Sequence, residues 1–172
     1  MTEFNKDHYR TPKYVFNWLN RRFHFDVDGC ASKENALCAE YIDSNFDFLT
    51  CSMRGFQNSC EKENLRIFVN PPYSDPLPFV KRAAELKEAG YLVVMLLPAD
   101  KSTKWYKVIQ ENATEVIDII GGRINFLHPV TGEEVKGNNK GSMVAVFDPF
   151  MQGFVTRQVS LDFVKKVGGY GS

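Results

Sequence analysis

The sequence predicts an α/β fold with a mostly parallel sheet. Residues 67–69 and 91–97 are apolar runs of strand length, which is typical of strands buried on both faces of a sheet. The segments that follow these runs carry apolar residues at helical spacing. Strands that alternate with helices indicate a layered fold in which the helices cover the sheet.

The N-terminal third predicts one helix and two strands. Thr11-Pro12 is expected to begin the helix, because threonine can cap it and proline fits its first position. Aromatic and apolar residues alternate with polar ones over 23–27, which predicts a strand. A short second strand is expected within 37–42. The polar segment 51–64 carries several turn formers and predicts an exposed loop.

The remaining two thirds continue the alternation. After the strand 67–69, the apolar spacing predicts a helix over 79–86 that Gly90 ends, followed by the strand 91–97. Beyond these, the sequence predicts a helix over 104–112, strands over 116–120 and 143–147, a mobile loop or hairpin over 129–141, and a short C-terminal helix between Ser160 and Gly168-Gly169.

Length and charge limit the class of protein. With 172 residues and no repeat or linker, residues 1–172 are expected to form a single domain. Lys and Arg together number 21, as do Asp and Glu, so binding of nucleic acid by bulk charge alone is excluded. The longest apolar run, 91–99, is too short for a membrane span, and the N-terminus has no signal-peptide pattern. We therefore expect a cytoplasmic protein.

The cysteines predict no metal site. They lie at positions 30, 38, 51 and 60, without the short spacing that zinc sites favour. In a chain without a secretory signal, they are expected to be reduced thiols.

Two polar motifs follow predicted strands directly. Asp28-Gly29-Cys30-Ala31-Ser32 follows the first strand, and Asn70-Pro71-Pro72-Tyr73 follows the strand 67–69. In open parallel sheets, ligands bind beyond the carboxyl ends of the strands. Both motifs are therefore candidate binding elements.

The second motif combines hydrogen-bond acceptors with an aromatic ring. Its prolines lack N–H groups, so carbonyl oxygens and the Asn70 side-chain oxygen are left as acceptors. Beside the ring of Tyr73, such acceptors suit a planar group with an amine, such as a nucleobase. Two acceptors that hold both amine hydrogens favour a pyramidal nitrogen with an available lone pair. The simpler interpretation, a rigid turn, is disfavoured by the position of the motif after a strand and by the first motif.

Several segments in a fixed order form a recognisable pattern, and they cover roughly residues 7–148. They are Tyr9–Pro12, Phe25–Ser32, Glu34–Cys38, Asn70–Ser74, Leu96–Asp100, Gly122–Ile124 with Phe126, and Gly141–Met143. In these segments the sequence resembles the phage-type DNA N-6-adenine methyltransferases, a Dam-like branch of the S-adenosylmethionine-dependent adenine methyltransferases. The Asn-Pro-Pro-Tyr motif is the most specific part of this resemblance.

The resemblance implies a fold and a cofactor site. The fold is the Rossmann-like S-adenosylmethionine-dependent methyltransferase fold, with a mostly parallel seven-stranded sheet and one antiparallel strand at 143–147. Thr11 and Pro12 would contact the cofactor. The loop of Asp28, Gly29, Cys30 and Ala31 would hold its amino-acid end, although this loop has one glycine where larger methyltransferases have more. The resemblance also assigns Asp47 to the cofactor's adenine amine and Asp43 to its ribose hydroxyls.

The catalytic roles also follow from the resemblance. Asn70 and the carbonyl of Pro71, held in place by Pro72, would bind the target amine, and Tyr73 would stack on the flipped base. Extrusion of the base is required because the target atom lies inside the base stack. No separate target-recognition domain is evident, so the loops 51–64 and 122–141 are candidates for recognition.

Local clusters of charge predict where DNA binds. Lys101 and Lys104 with Trp105 follow a strand end, and Arg123 belongs to a later segment of the pattern. These four are the candidate DNA-binding residues, while the alternative for the lysines is a solvated helix face. The expected partner is double-stranded DNA, bound by a monomer or weak dimer.

Together these features predict the transfer of a methyl group from S-adenosylmethionine to the exocyclic amine of adenine in DNA, with S-adenosylhomocysteine as the product. Two alternatives remain open. One is methylation of the cytosine amine or of RNA, because the motif could hold any planar amine. The other is a non-catalytic DNA-binding relative of such enzymes.

Overall fold

The computed structural model describes residues 6–172. A short 3-10 helix, Lys6–His8, precedes the first long element. The helices are α1 (Lys13–Phe23), α2 (Arg54–Cys60), α3 (Leu77–Glu88), α4 (Lys104–Asn112) and α5 (Leu161–Gly168). The strands are β1 (Val27–Asp28), β2 (Glu40–Tyr41), β3 (Arg66–Val69), β4 (Leu92–Pro98), β5 (Glu115–Ile120), β6 (Ser142–Phe147) and β7 (Val155–Ser160).

The strands form a single sheet in the order β2-β1-β3-β4-β6-β5-β7. Strand β6 runs antiparallel to both of its neighbours, β4 and β5, and the other paired strands are parallel. The predicted α/β class, the seven strands and the antiparallel strand at 143–147 are therefore confirmed.

The sheet is buried between two apolar layers. Alternate residues of β4 face opposite layers: Val93, Met95 and Leu97 pack on the side of α3 and α4. Leu92, Val94 and Leu96 pack on the side of α1 and α5. Burial on both faces explains why this strand has no polar alternation. Among residues 6–172, no helix combines the length and apolarity that crossing a bilayer would need.

Two N-terminal predictions are wrong in detail. The strand expected over 23–27 is only Val27–Asp28, because Phe23 belongs to α1 and is buried one helical turn after Leu19. His24 ends this helix in the left-handed region, with φ of 53°. Nor does Thr11 cap the helix, since Pro12 occupies the cap position without a side-chain hydrogen bond.

Two further elements were not predicted. The segment 51–64 contains α2, whose preceding residue Met53 is buried while Phe56 packs against the core. Strand β7 is mostly exposed and polar, and it pairs through its backbone with β5, so it lacks the apolar signal of a core strand. The C-terminal helix is confirmed, because the Ser160 hydroxyl accepts a hydrogen bond from the Phe163 N–H at 3.1 Å.

Candidate active site

The two strand-end motifs lie side by side at one edge of the sheet. Strands β1 and β3 pair in parallel, with Asp28 opposite Phe68. The N–H of Gly29 donates to the carbonyl of Phe68 at 2.7 Å. A β-carbon on Gly29 would lie 2.9 Å from a methyl carbon of Val69 and 3.2 Å from the Phe68 carbonyl oxygen. Only glycine fits this close approach without a shift of its neighbours.

A cleft of about 640 Å³ opens in front of these motifs. Its walls contain seven of the eight predicted cofactor residues: Thr11, Asp28, Gly29, Cys30, Ala31, Asp43 and Asp47. The eighth, Pro12, is buried at the start of α1 and does not line the cleft. Pro72 of the second motif also lines it. Residues far apart in the sequence thus meet at one cavity.

Asp28 is a buried carboxyl group that lines this cleft. It is 3% exposed and accepts hydrogen bonds from the N–H groups of Leu37 (3.1 Å) and Cys30 (3.4 Å). Burial raises its pKa from 3.8 to about 6, although both hydrogen bonds favour the charged form. Burial and the nearby Asp28 carboxylate also raise the pKa of the Cys30 thiol. Cys30 is therefore an un-ionised thiol near neutral pH.

Asp43 and Asp47 are each fixed by their own turn. One Asp43 oxygen accepts from the N–H groups of Asn45 (3.0 Å) and Phe46 (3.2 Å). One Asp47 oxygen accepts from the N–H of Leu49 at 3.0 Å, while Asp47 itself has a φ of 56°. These local bonds hold both carboxylates in place without another element of the fold.

The cleft also has apolar walls that the sequence did not reveal. The rings of Phe48 and Phe79 stack in parallel, with centroids 6.0 Å apart and planes 5° apart, and both line the cleft together with Ile42. In the sequence, Phe79 reads as an ordinary core position of α3. The adjacency of Phe48 to Asp47 was the available signal for this wall.

A smaller cavity of about 110 Å³ lies on the other side of the second motif. Asn70, Pro71 and Tyr73 form one wall, and Phe126 with residues 135–138 forms another. Asp7, Tyr9 and Asn70 line both this cavity and the cleft. We call these three residues the shared wall.

Asn70 has one satisfied and one unsatisfied side-chain atom. Its amide nitrogen donates to the hydroxyl oxygen of Thr11 at 2.9 Å. Its Oδ1 is buried and has no hydrogen-bond partner among the described residues. A buried acceptor without a partner costs about 1–3 kcal/mol, so this oxygen is suited to an added donor.

Tyr73 is held at both ends. Its hydroxyl donates to the carbonyl of Leu96 at 3.1 Å, and its ring stands edge-on to that of Phe126 with centroids 5.8 Å apart. Burial raises the pKa of its hydroxyl, which therefore remains a neutral donor. The ring is consequently fixed at the small cavity.

Of the two candidate recognition loops, only 122–141 contributes residues to the two cavities described above. Leu127 forms isolated β-bridges with Arg10 and Glu134. Within the loop, a guanidinium nitrogen of Arg123 donates to the Asn138 carbonyl at 2.9 Å. No residue of 51–64 lines either cavity. The structure therefore separates two segments that sequence reasoning treated alike.

The predicted DNA-binding residues lie outside both cavities. Lys101 forms an ion pair with Asp118 at 2.7 Å, and Lys104 is exposed at the start of α4. Trp105 packs partly buried against the core, and Arg123 is engaged as described above. Exposed Lys136 lines the small cavity instead.

The N-terminal segment also belongs to the site. The carboxylate of Asp7 accepts hydrogen bonds from the N–H (2.9 Å) and hydroxyl (2.5 Å) of Ser74, directly after the second motif. The Arg10 guanidinium donates to the carbonyl of Pro129, and its Nε is buried without a partner among the described residues. Sequence reasoning gave no role to Asp7 or Arg10.

The mostly parallel seven-stranded sheet with its antiparallel β6 has the Rossmann-like architecture of the methyltransferase fold. Comparison with known sequences narrows this class. The sequence profile described as DNA N-6-adenine-methyltransferase (Dam) matches residues 1–168, and the chain belongs to this family.

Two phage proteins show the relationship directly. The DNA N-6-adenine-methyltransferase of Haemophilus phage HP1 (strain HP1c1) is 38% identical over 148 residues, which cover 84% of this chain and 80% of that protein. The protein of the same name from Escherichia phage T1 is 35% identical over 165 residues, covering 87% of this chain and 66% of that protein.

Proposed function

We propose that this protein transfers a methyl group from S-adenosylmethionine to the exocyclic amine of adenine in double-stranded DNA. The family and its two named relatives support adenine in DNA as the target. The observation that carries the proposal for the site is the unpartnered, buried Oδ1 of Asn70. It lies in the shared wall, between a cleft large enough for a cofactor and a smaller cavity.

The residues of the cleft fit S-adenosylmethionine. The loop 28–31 lines the cleft, and the Asp28 carboxyl group there suits an ammonium group. Asp43 would hold the ribose hydroxyls and Asp47 the adenine amine. Ile42, Phe48 and Phe79 supply apolar surface for a planar ring. When bound, S-adenosylmethionine supplies an electrophilic methyl group.

Asn70 and Pro71 would bind and orient the target amine. The amide oxygen of Asn70 and the main-chain carbonyl of Pro71 each accept one amine hydrogen. This arrangement favours a pyramidal nitrogen whose lone pair is released from the ring. Pro72 removes a competing N–H donor and stiffens the corner. Catalysis by these residues consists of positioning and of fixed dipoles at the reacting nitrogen.

Tyr73 and the loop 122–141 would hold the flipped base. Stacking on an aromatic side chain is worth about 1–3 kcal/mol per base, which offsets part of the few kcal/mol that flipping costs. Since 122–141 lines the small cavity and 51–64 does not, we assign recognition of the flanking DNA to 122–141. The domain would act as a monomer or weak dimer.

The proposal is tested with labelled S-adenosylmethionine and unmethylated duplex DNA, followed by hydrolysis to nucleosides. We expect the label in N6-methyladenine. Label found only in cytosine, or only when RNA is supplied, would overturn the choice of substrate. No transfer to any nucleic acid would overturn the enzymatic assignment.

Asn70→Ala tests the site in the same assay. Turnover should fall at least 100-fold, because the substitution removes an acceptor that acts on the reacting nitrogen. The several-degree melting shift that saturating cofactor produces should remain. The matched control is Asn64→Ala, since Asn64 is exposed and bonds to the Gly90 carbonyl away from the site. Equal loss in both variants would contradict the role of Asn70.

A further inference from the structure

We propose that Thr11 is a positioning residue for Asn70, whose hydroxyl fixes the side-chain amide so that Oδ1 is presented to the target amine. This inference rests on the proposed function of Asn70. It starts from the 2.9 Å hydrogen bond between the Asn70 Nδ2 and the Thr11 Oγ1. The other end of the same amide, Oδ1, is the unpartnered acceptor.

The orientation of this amide decides whether the target can bind. An asparagine amide has nearly the same shape after a half-turn that exchanges its oxygen and nitrogen. After that exchange, an N–H donor would face the hydrogens of the target amine. In the structure the Thr11 hydroxyl accepts from the amide nitrogen, which anchors that end of the amide and leaves Oδ1 as the unpartnered acceptor. Because a hydroxyl can also donate, its role is to hold the amide in place, and the observed bond corresponds to the productive orientation. Without the hydroxyl, the buried amide nitrogen is left without an acceptor, and the side chain is no longer held in the productive orientation.

Thr11 is well placed to hold its hydroxyl still. It is 6% exposed. The preceding residue, Arg10, exchanges two backbone hydrogen bonds with Leu127, both of 2.9 Å. The following residue, Pro12, is the N-cap residue of α1 and has a φ of −62°. A residue before proline is restricted to extended conformations, and a β-branched side chain is stiff.

The structure also removes the competing use of this hydroxyl. The sequence predicts that Thr11 caps α1, but no side-chain hydrogen bond caps that helix. The hydroxyl of Thr11 instead accepts a hydrogen bond from Asn70. Thr11 also lines the cofactor cleft. Thr11 therefore links the cleft to the residue that receives the target.

The test compares Thr11→Val, which keeps the shape and removes the hydroxyl, with Thr11→Ser, which keeps the hydroxyl. Single-turnover methylation of duplex DNA should slow about 10- to 100-fold in Thr11→Val and stay within about threefold of wild type in Thr11→Ser. In both variants, S-adenosylmethionine should still raise the melting temperature as it does in the wild-type protein. The dissociation constant for duplex DNA should change less than about threefold.

Thr114→Val is the matched control. Thr114 is 7% exposed, and its hydroxyl donates to the Val146 carbonyl at 3.0 Å, outside both cavities. It should lower the melting temperature without changing the single-turnover rate. A wild-type rate in Thr11→Val would overturn the proposal. Equal slowing in Thr11→Ser would also overturn it, because the effect would then come from packing and not from the hydroxyl. Loss of the cofactor-induced melting shift would overturn it as well, because Thr11 would then act by contacting the cofactor.

A second readout does not depend on activity. The side-chain NH₂ resonances of Asn70, assigned by their absence in Asn70→Ala, should shift in Thr11→Val and remain near their wild-type positions in Thr11→Ser. Unchanged resonances in Thr11→Val would overturn the proposed hydrogen bond. If the wild-type protein transferred no methyl group to adenine, the proposed function would fail, and this readout would still decide whether Thr11 orients the amide.

Discussion

The Tyr73 hydroxyl is bound to the main-chain carbonyl of Leu96, 3.1 Å away in the central strand β4. This bond joins the last residue of the Asn-Pro-Pro-Tyr motif to the most buried part of the sheet. The ring is also braced edge-on by Phe126. Tyr73 therefore has two separable properties, a hydroxyl that anchors it and a ring that faces the small cavity.

Variants of Tyr73 should separate these two properties. Tyr73→Phe removes the anchor and should cost about 0.5–1.5 kcal/mol of stability, with most of the methylation rate retained. Tyr73→Ala also removes the stacking surface, and it should reduce kcat/KM for duplex DNA about 10- to 100-fold. Thermal melting and single-turnover kinetics measure the two effects. Equal rates in Phe and Ala variants would rule out stacking.

Asp47→Asn should weaken cofactor binding without unfolding the turn. In the wild-type protein the Leu49 N–H donates to the Asp47 carboxylate at 3.0 Å. The amide oxygen of the introduced asparagine can still accept this hydrogen bond. The new NH₂ group would meet the amine of the cofactor's adenine as donor against donor. We expect at least a tenfold rise in Kd for S-adenosylmethionine by titration calorimetry and a melting temperature within about 2 °C of wild type. An unchanged Kd would reject the assignment of Asp47.

Cofactor affinity should depend on pH through Asp28. In the free protein its pKa is raised from 3.8 to about 6 by burial, so the carboxyl group is largely protonated at pH 5 and ionised at pH 7. A cationic ammonium ligand binds the ionised form. Kd should therefore be flat above about pH 6 and rise up to tenfold per pH unit below it.

The control for this pH dependence is Asp28→Asn, which cannot ionise. It should bind more weakly at pH 7 and show no increase in Kd between pH 7 and pH 5. The ammonium group of the ligand stays charged throughout this range. A wild-type Kd that does not change with pH would show that Asp28 is not next to the ligand's cationic end.

Lys136 and Lys104 form a matched pair for DNA binding. Both are exposed, but Lys136 lines the small cavity and Lys104 lies on α4 away from it. Lys136→Ala should lower DNA affinity and reduce the slope of log K against log salt by about 0.9, the loss of one phosphate contact. Lys104→Ala should change neither. The opposite ranking in fluorescence anisotropy would place the DNA along α4, as the sequence analysis expected.

The sequence predicted the elements whose signal lies in apolar periodicity or in turn chemistry. The buried strand β4, the helix α4 and the Ser160-capped helix are examples. Prediction failed where tertiary packing determines whether a segment forms a helix or a strand. Phe23 alternates with polar neighbours like a strand residue, but it belongs to a helix because it packs one turn after Leu19. Strand β7 is set by backbone pairing, which leaves little trace in side-chain pattern.

The same distinction between local sequence signals and long-range contacts applies to the residues of the candidate site. Asp28 and Asn70 stand out because polar residues directly follow strands, and parallel pairing brings them together. The roles of Thr11, Asp7 and Phe79 depend on contacts across the fold, such as the bond between Asp7 and Ser74 over 67 residues. No local pattern encodes such a contact. Three-dimensional placement was therefore required to find it.

The shared wall of Asp7, Tyr9 and Asn70 has a thermodynamic consequence. If the cleft holds the cofactor and the small cavity holds the base, as proposed, both ligands contact the same three side chains, and we expect their binding to be coupled. The two ligands and the protein form a closed thermodynamic cycle. The factor by which bound cofactor changes the affinity for DNA must therefore equal the factor by which bound DNA changes the affinity for cofactor. Each ligand then has two dissociation constants, one in the absence and one in the presence of the other ligand. A measurement with one ligand alone gives only the first of them.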